Sequence, residues 1–455
     1  MSASTRPTRL PTISVNAALL FGLIVTAWVA GGAARADVLG QTVMRTVAWI
    51  AIIGSLLFGA RPSLPAAKPA FLILSAALVL VLVQLIPLPP ALWQMLPGRQ
   101  AITAAQLLGS PEWRPLALVP GATANSAEAL VVPFAALLLV AGLEKRELAW
   151  LPSLLLGMIA AAAIPGLLQF SGAGFDHPLI NDTPGQVSGN FANRNHFALF
   201  LAFGCALAPA WAFSGSGRAR WRAPVAGGLV ILFVLLILAS GSRAGLMVGG
   251  LGVAAGLPML YHGIRRNYRG LPSWFLPTTF AAILALLAIF IAISMNSNRA
   301  VSIDRLLSLD AGQDLRARTI PVVLSMVMDY FPFGTGFGGF DPIFRIHEPF
   351  SMLKATYFNH AHNDFLEIAL DGGIAAILIC IFAVGWWALY SMKAWRNGPE
   401  LAKVGSSILG LTLISSIFDY PARTPTMMII IVIAAIWLGL NRTDAARTAL
   451  PAADG

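Results

Sequence analysis

The chain has 455 residues, 57% of them apolar and 11% charged, with 30 Lys or Arg against 20 Asp or Glu and a mean hydropathy of +0.75. Soluble domains carry about 25% charged residues, so a soluble globule is excluded, and so is disorder, which needs low hydrophobicity and high charge. Two cysteines exclude a disulfide-stapled scaffold, and a polytopic membrane protein is what remains.

A membrane helix takes about 20 mostly apolar residues. Twelve runs of that kind follow one another, near 13–33, 42–60, 69–88, 126–143, 148–169, 195–213, 223–240, 243–262, 273–295, 365–391, 402–419 and 424–440. The predicted fold is therefore all-α, a single membrane domain over 1–455 with about twelve transmembrane helices. The first run ends near Ala34-Arg35-Ala36 and has the outline of a signal peptide. It is longer than a usual signal core, which favours an uncleaved first helix.

With the N-terminus cytoplasmic, 17 of the 30 basic residues fall on the cytoplasmic side, seven in short segments opposite and six in one long loop. Lys and Arg collect in cytoplasmic loops, and long loops are discounted. The +10 excess is then an orientation signal and needs no nucleic acid. Two external segments are substantial, the proline-rich 89–125 and the loop 296–364 between the ninth and tenth helices. Cys205 and Cys380 fall inside predicted helices and read as packing residues.

Polar residues at a membrane lip are costly and so are functional candidates. In chain order the first cluster is Gly189-Asn190-Phe191-Ala192-Asn193-Arg194-Asn195-His196, at the external start of the sixth helix. Asn193 or Asn195 suits a helix cap. Next is the turn Ser240-Gly241-Ser242-Arg243-Ala244-Gly245, whose arginine stands on the side where the positive-inside rule disfavours it. The long loop carries Arg316 and Arg318, two apart and so on different faces of a helix. The stretch from Phe333 to Phe340 holds four glycines. It lacks the preceding strand and following lysine of a P-loop, so a structural turn is expected. Last comes His360-Ala361-His362-Asn363-Asp364-Phe365-Leu366-Glu367, entering the tenth helix, with Asp371-Gly372-Gly373 one turn on. The histidine pair suits a metal or a general base. Asp364 and Glu367 are expected simply to favour the helix N-terminus through its dipole. Separate arginines with a histidine beside them suit transfer from a lipid diphosphate.

In these residues the chain resembles the O-antigen ligase family, which shares a domain with O-antigen polymerases. The likeness rests on order: Ser-Arg-x-Gly (Ser242 to Gly245), a loop arginine, Pro-x-Gly-x-Gly (Pro332 to Gly336), then His-Asn-x-x-Leu (His362 to Leu366). The element Gly-x-Phe-x-Asn-x-Asn at 189–195 is similar too, and the motifs span an expected ligase-like core over 185–375. The resemblance implies a helical, GT-C-like glycosyltransferase fold with a large periplasmic loop over 296–364. It implies an inner-membrane enzyme whose site faces the periplasm. Such an enzyme moves a glycan from undecaprenyl pyrophosphate to a hydroxyl of lipid A-core or another glycan. By likeness His362 is the catalytic base, and Arg243 with Arg318 or Arg316 holds the pyrophosphate. Arg194 joins them, and His360, Asn363, Asn193, Asn195 and Asp371 support the site. Family members are described as metal-independent, and no cofactor is expected. The sequence departs from the pattern after the loop arginine, where Thr319-Ile320-Pro321 replaces a frequent tryptophan, and at Asp371, where glutamate is common. Spacing to Pro332 favours Arg318 over Arg316. The competing readings are a polymerase of lipid-linked repeat units, a protein O-oligosaccharyltransferase and, last, a transporter. A transporter predicts charges and broken helices near mid-membrane, whereas these clusters sit at one end.

Overall fold

Within a bilayer each backbone N–H and C=O must find its partner inside its own segment, so apolar runs become helices. The computed structural model describes residues 13–100, 112–173, 177–181, 183–214, 219–267, 315–353 and 358–440. The chain enters through α1 (Val15–Ala30), α2 (Leu39–Phe58) and α3 (Lys68–Gln84). A short α4 (Pro90–Met95) follows. A two-stranded pairing of β1 (Pro87–Leu88) with β2 (Arg114–Pro115) leads into α5 (Pro120–Ala129) and α6 (Val131–Ala141). The expected fourth span divides between these two helices at Leu130. Pro133 has no N–H to offer the carbonyl of Ala129, which weakens the helix there. After the turn α7 (Lys145–Leu148) come α8 (Leu151–Phe170), α9 (Arg194–Ala212), α10 (Ala219–Ala239) and α11 (Arg243–Asn267). The long loop supplies α12 (Leu315–Tyr330) and α13 (Phe340–His347). The chain closes with α14 (Asp364–Asn397), α15 (Glu400–Ser415) and α16 (Pro425–Leu438).

Among the described residues eight helical segments are long and apolar enough to cross a membrane, and α1 and α16 are apolar but shorter. The expected ninth span, 273–295, lies outside the described residues. Large apolar side chains point outward, with Leu56 70% and Ile381 62% exposed. Such a surface is stable only against lipid. The protein is an all-α polytopic membrane protein.

At the centre stands α9, buried from Asn195 to Ala212 and surrounded by α8, α10, α11 and α15. Its close approach to α11 rests on small residues. A Cβ on Gly252 would lie 2.6 Å from the carbonyl oxygen of Ala202. That approach sets the start of α11, and with it Ser242 and Arg243, against the start of α9. The two ends of the bundle are tied separately. At one, Ser14 donates from its backbone N–H and hydroxyl to Glu147, at 2.8 and 2.7 Å. At the other, Asn190 Nδ2 donates to the Trp28 carbonyl at 2.7 Å and the Thr426 N–H to that of Gly31 at 3.1 Å. Every candidate side chain below belongs to this second end.

Helix α14 breaks at Gly373, which has φ +54°. The freed carbonyls are not left bare. The N–H groups of Thr335 and Gly336 donate to Leu370 and Asp371 at 2.9 Å, and Gln84 Nε2 donates to the Asp371 carbonyl at 2.9 Å. In return the Ile374 N–H donates to Pro332 at 2.9 Å. The glycine-rich stretch after Pro332 is thus a dock for the loop, as its lack of P-loop context predicted. Arg99, wholly buried, braces it by donating to the carbonyls of Leu116 (2.7 Å) and Gly334 (3.3 Å). Burial pushes the Arg99 guanidinium down to about 10, leaving it charged at neutral pH. The loop also has its own apolar core, built around Met326, Tyr330, Phe340 and Phe344.

Candidate active site

Three of the sequence clusters converge through hydrogen bonds. Asn193 caps α9, its Oδ1 accepting from the Asn195 N–H at 2.9 Å. Its other side-chain atom, Nδ2, donates to Asp419 Oδ2 at 2.9 Å. Asn195 Nδ2 donates to the same oxygen at 2.5 Å. The Ser242 hydroxyl donates to Asn195 Oδ1 at 2.6 Å and accepts from the Gly245 N–H at 2.7 Å. The small residues of the Ser-Arg-x-Gly turn therefore lock Asn195, and both asparagines lock one carboxylate.

Asp419 is wholly buried, in the turn between α15 and α16. Its Oδ1 accepts from the Tyr420 N–H at 3.0 Å and faces His362 Nδ1 at 3.4 Å. His196 Nε2 stands 3.8 Å away. Sequence reasoning missed Asp419, placing it at the end of the eleventh span. One signal was present: an acid just past a helix C-terminus opposes the dipole, so something else must hold it there.

His362 is the only residue other than glycine with positive φ among the described residues, at +52°. Such conformations cost about 1–3 kcal/mol and persist where the surroundings force them. Both neighbours are pinned here. The Ala361 N–H donates to Glu367 Oε2 at 2.8 Å. Asn363 caps α14, accepting from the Leu366 N–H and donating to the Ile417 carbonyl, both at 3.0 Å. The turn between them aims the His362 ring at Asp419.

The histidine pair does not converge on one point. His360 Nδ1 lies 2.8 Å from Glu367 Oε1, while His362 faces Asp419. Tyr420 packs against both rings, with centroids 4.2 Å from His360, 5.1 Å from His362 and 5.3 Å from His196.

Asp364 and Glu367 do more than favour a dipole, which corrects that expectation. Arg423 Nε donates to Asp364 at 3.2 Å, and its terminal nitrogen pairs with Glu367 at 3.1 Å. The Ser416 hydroxyl adds a bond to Asp364 at 2.9 Å. Burial alone would lower the Arg423 guanidinium; the carboxylates of Glu367, Asp364 and Asp371 outweigh it and hold the value above the ordinary range. Arg423 is thereby committed within the protein. Asp371 is buried and accepts from the Gly338 N–H at 3.3 Å, so it belongs to the loop dock rather than to the histidines.

Arg194 opens α9 half-buried, Arg243 opens α11 exposed, and Arg318 is exposed in the first turn of α12. Arg316 shares that turn, but its side chain lies outside the described residues.

Two cavities border these residues. The larger, about 670 Å³, is mostly apolar, with Trp386, Trp387 and Leu74 in its wall and Arg35, Arg45, His360 and Arg423 among its polar residues. The smaller, about 130 Å³, is polar and lies against Tyr420 and His196. Among the described residues no group of three or more His, Cys, Asp or Glu is placed to hold a metal.

No curated protein matches the chain. Residues 228–381, from within α10 into α14, match the family model described as O-antigen ligase. That stretch holds Ser242 to Gly245, both loop arginines, Pro332 to Gly336 and His362, and stops short of Asp419. The ordered motifs and the matched stretch thus agree: over residues 228–381 this helical membrane protein is similar to the O-antigen ligase family.

Proposed function

We propose that the chain transfers a glycan from undecaprenyl pyrophosphate to a sugar hydroxyl of lipid A-core at the periplasmic face of the bacterial inner membrane. The fold would be GT-C-like, with twelve spans in one membrane domain over 1–455, a catalytic core over 185–375 and the periplasmic loop over 296–364. What carries this reading is the hydrogen-bonded path from Ser242 through Asn195 and Asp419 to His362.

A proton on His362 Nδ1 completes the contact to Asp419 and leaves Nε2 as a base. Nε2 takes the acceptor proton as the hydroxyl oxygen bonds to the anomeric carbon. The bond to the lipid pyrophosphate breaks, and its electron pair leaves on the phosphate oxygen. One displacement inverts the anomeric centre. Asp419 stabilises the imidazolium that forms. The leaving pyrophosphate is held by Arg243 and Arg318, with Arg316 and Arg194 at the flank, since guanidinium is permanently charged and bidentate. Fixed cations aimed at developing charge lower the barrier without reorganisation. No metal or cofactor enters this scheme.

Replacing His362 by Ala in cells tests the reading. Loss of surface glycan with build-up of undecaprenyl-linked polymer supports a ligase. Build-up of single repeat units assigns a polymerase instead. Unaltered glycan with His362 and Arg243 both replaced overturns the site.

A further inference from the structure

Helix α12 shows three faces rather than two. An α-helix turns by about 100° per residue. Thr319, Val323, Met326 and Tyr330 share one face and are buried. Arg318, Ser325 and Asp329 share a second and are exposed. Ile320, Leu324 and Met328, spaced four apart, share the third, and they are exposed by 43%, 51% and 73%. The three faces lie about 120° from one another. Two faces suffice for a helix between a protein core and water. An apolar third face is stable only against something apolar, protein or lipid.

The surroundings of α12 favour lipid. Helix α14 has no exposed residue from Asp364 to Gly373, then exposes Ile374, Leu378, Ile381 and Phe382. The lipid-facing wall of α14 therefore begins at Ile374. The chain leaving α12 reaches that same residue, since the Pro332 carbonyl accepts from the Ile374 N–H at 2.9 Å. Phe331 and Phe333, on either side of Pro332, are exposed as well. This contact joins the apolar stripe of α12 to the lipid-facing wall of α14. The short helix α4 repeats the pattern, burying Trp93 and exposing Leu92 and Met95. The turn after α4 packs on α12, where Gly98 stands so close to the Tyr330 ring that a Cβ would collide with it.

We infer that α12 lies in the membrane–water interface at this end of the bundle, with Ile320, Leu324 and Met328 sunk into the lipid leaflet. Interfacial helices bury an apolar face about 5–10 Å deep, at the boundary of headgroups and acyl chains, and carry Lys or Arg on the polar face. Arg318 occupies that polar face and so stands at the level of the lipid phosphates. The loop is then held from two sides, by its hydrogen bonds to α14 and by lipid. This seating goes beyond the glycosyl transfer proposed above and does not depend on it.

The test uses the full chain, with Cys205→Ala and Cys380→Ala, in phospholipid nanodiscs. A nitroxide is attached to Leu324→Cys, Ser325→Cys, Met328→Cys or Asp329→Cys. Dissolved oxygen relaxes a label in lipid, and a water-soluble nickel chelate relaxes one in water. Oxygen is expected to dominate at Leu324 and Met328 and nickel at Ser325 and Asp329, with the ratio about fivefold or more apart between neighbours. Dominant nickel at all four positions overturns the inference, since the stripe then faces water. Weak relaxation by both agents at Leu324 and Met328 overturns it too, since protein then covers the stripe, either residues 273–295 or a second copy. Where a label lowers the thermal midpoint, the unaltered chain is measured instead, with a phospholipid carrying a diazirine high on its acyl chain. Photolabelling of 320–328 together with 374–382 supports the seating, and photolabelling of 374–382 alone overturns it.

Discussion

Two buried carboxylates face the two histidines that pack on Tyr420, and they are held in different ways. Glu367 meets the guanidinium of Arg423, the ring of His360 and the N–H of Ala361. Asp419 meets the amides of Asn193 and Asn195, the N–H of Tyr420 and the ring of His362. Arginine carries a permanent charge, so the Glu367 network is the same before and after a proton moves. Asp419 is gripped by the amides of Asn193 and Asn195 and faces His362, where the proposed transfer would place a positive charge. On the proposed function the first arrangement is structural and the second takes part in the reaction.

Replacing each acid by its amide separates these roles. Asp419→Asn keeps the shape and removes the charge. Transfer should fall by about 10²–10⁴-fold, the range of a lost acid–base contribution, while the thermal midpoint of the purified protein hardly moves. Equal loss of rate and stability would merge the two regions into one. Glu367→Gln should act the other way. It strips the half-buried Arg423 of one of its two carboxylate partners, and breaking a fully buried pair costs about 3–5 kcal/mol, which is the upper bound here. A reduced unfolding midpoint and poor yield are expected, with partial recovery when Arg423→Met is added.

Gly373→Ala probes the dock behind both. Its φ of +54° and a Cβ only 2.0 Å from the Pro332 carbonyl oxygen leave no room for a methyl group. A loss of about 1–3 kcal/mol is expected from the backbone alone, seen as faster proteolysis within 315–353. The smallest effect belongs to Asn363→Ala, where loss of a helix cap costs about 1 kcal/mol. Because that cap also pins the backbone beside His362, transfer should drop more than stability does. Parallel losses would reduce Asn363 to a cap.

Much of the site is legible in the amino-acid sequence. Asn193 reads as a cap and Ser242 as part of a tight turn, because these roles depend on neighbours along the chain. His362 stands out because histidines are costly at a membrane lip. Asp364 and Glu367 are undervalued for the same local reason: the dipole explains them too cheaply, and their partner Arg423 lies more than fifty residues away. Asp419 offers a local reading only its awkward place past a helix C-terminus, since its side-chain partners come from α9 and from the turn before α14. The arginines are legible as exceptions to the charge rule, yet their place relative to the cavities is not.

Hydropathy by itself determined that the chain is a bundle of membrane helices, since a bilayer offers the backbone no other way to satisfy its hydrogen bonds. It also set the clusters at helix ends, because charge inside a bilayer is expensive. Tertiary structure alone decided which acid faces which histidine. His360 and His362 are two residues apart and turn to different carboxylates, one seven residues on and one fifty-seven. That choice depends on how α9, α14 and the turn after α15 pack at one end of the bundle, and no local pattern encodes a contact across such a distance.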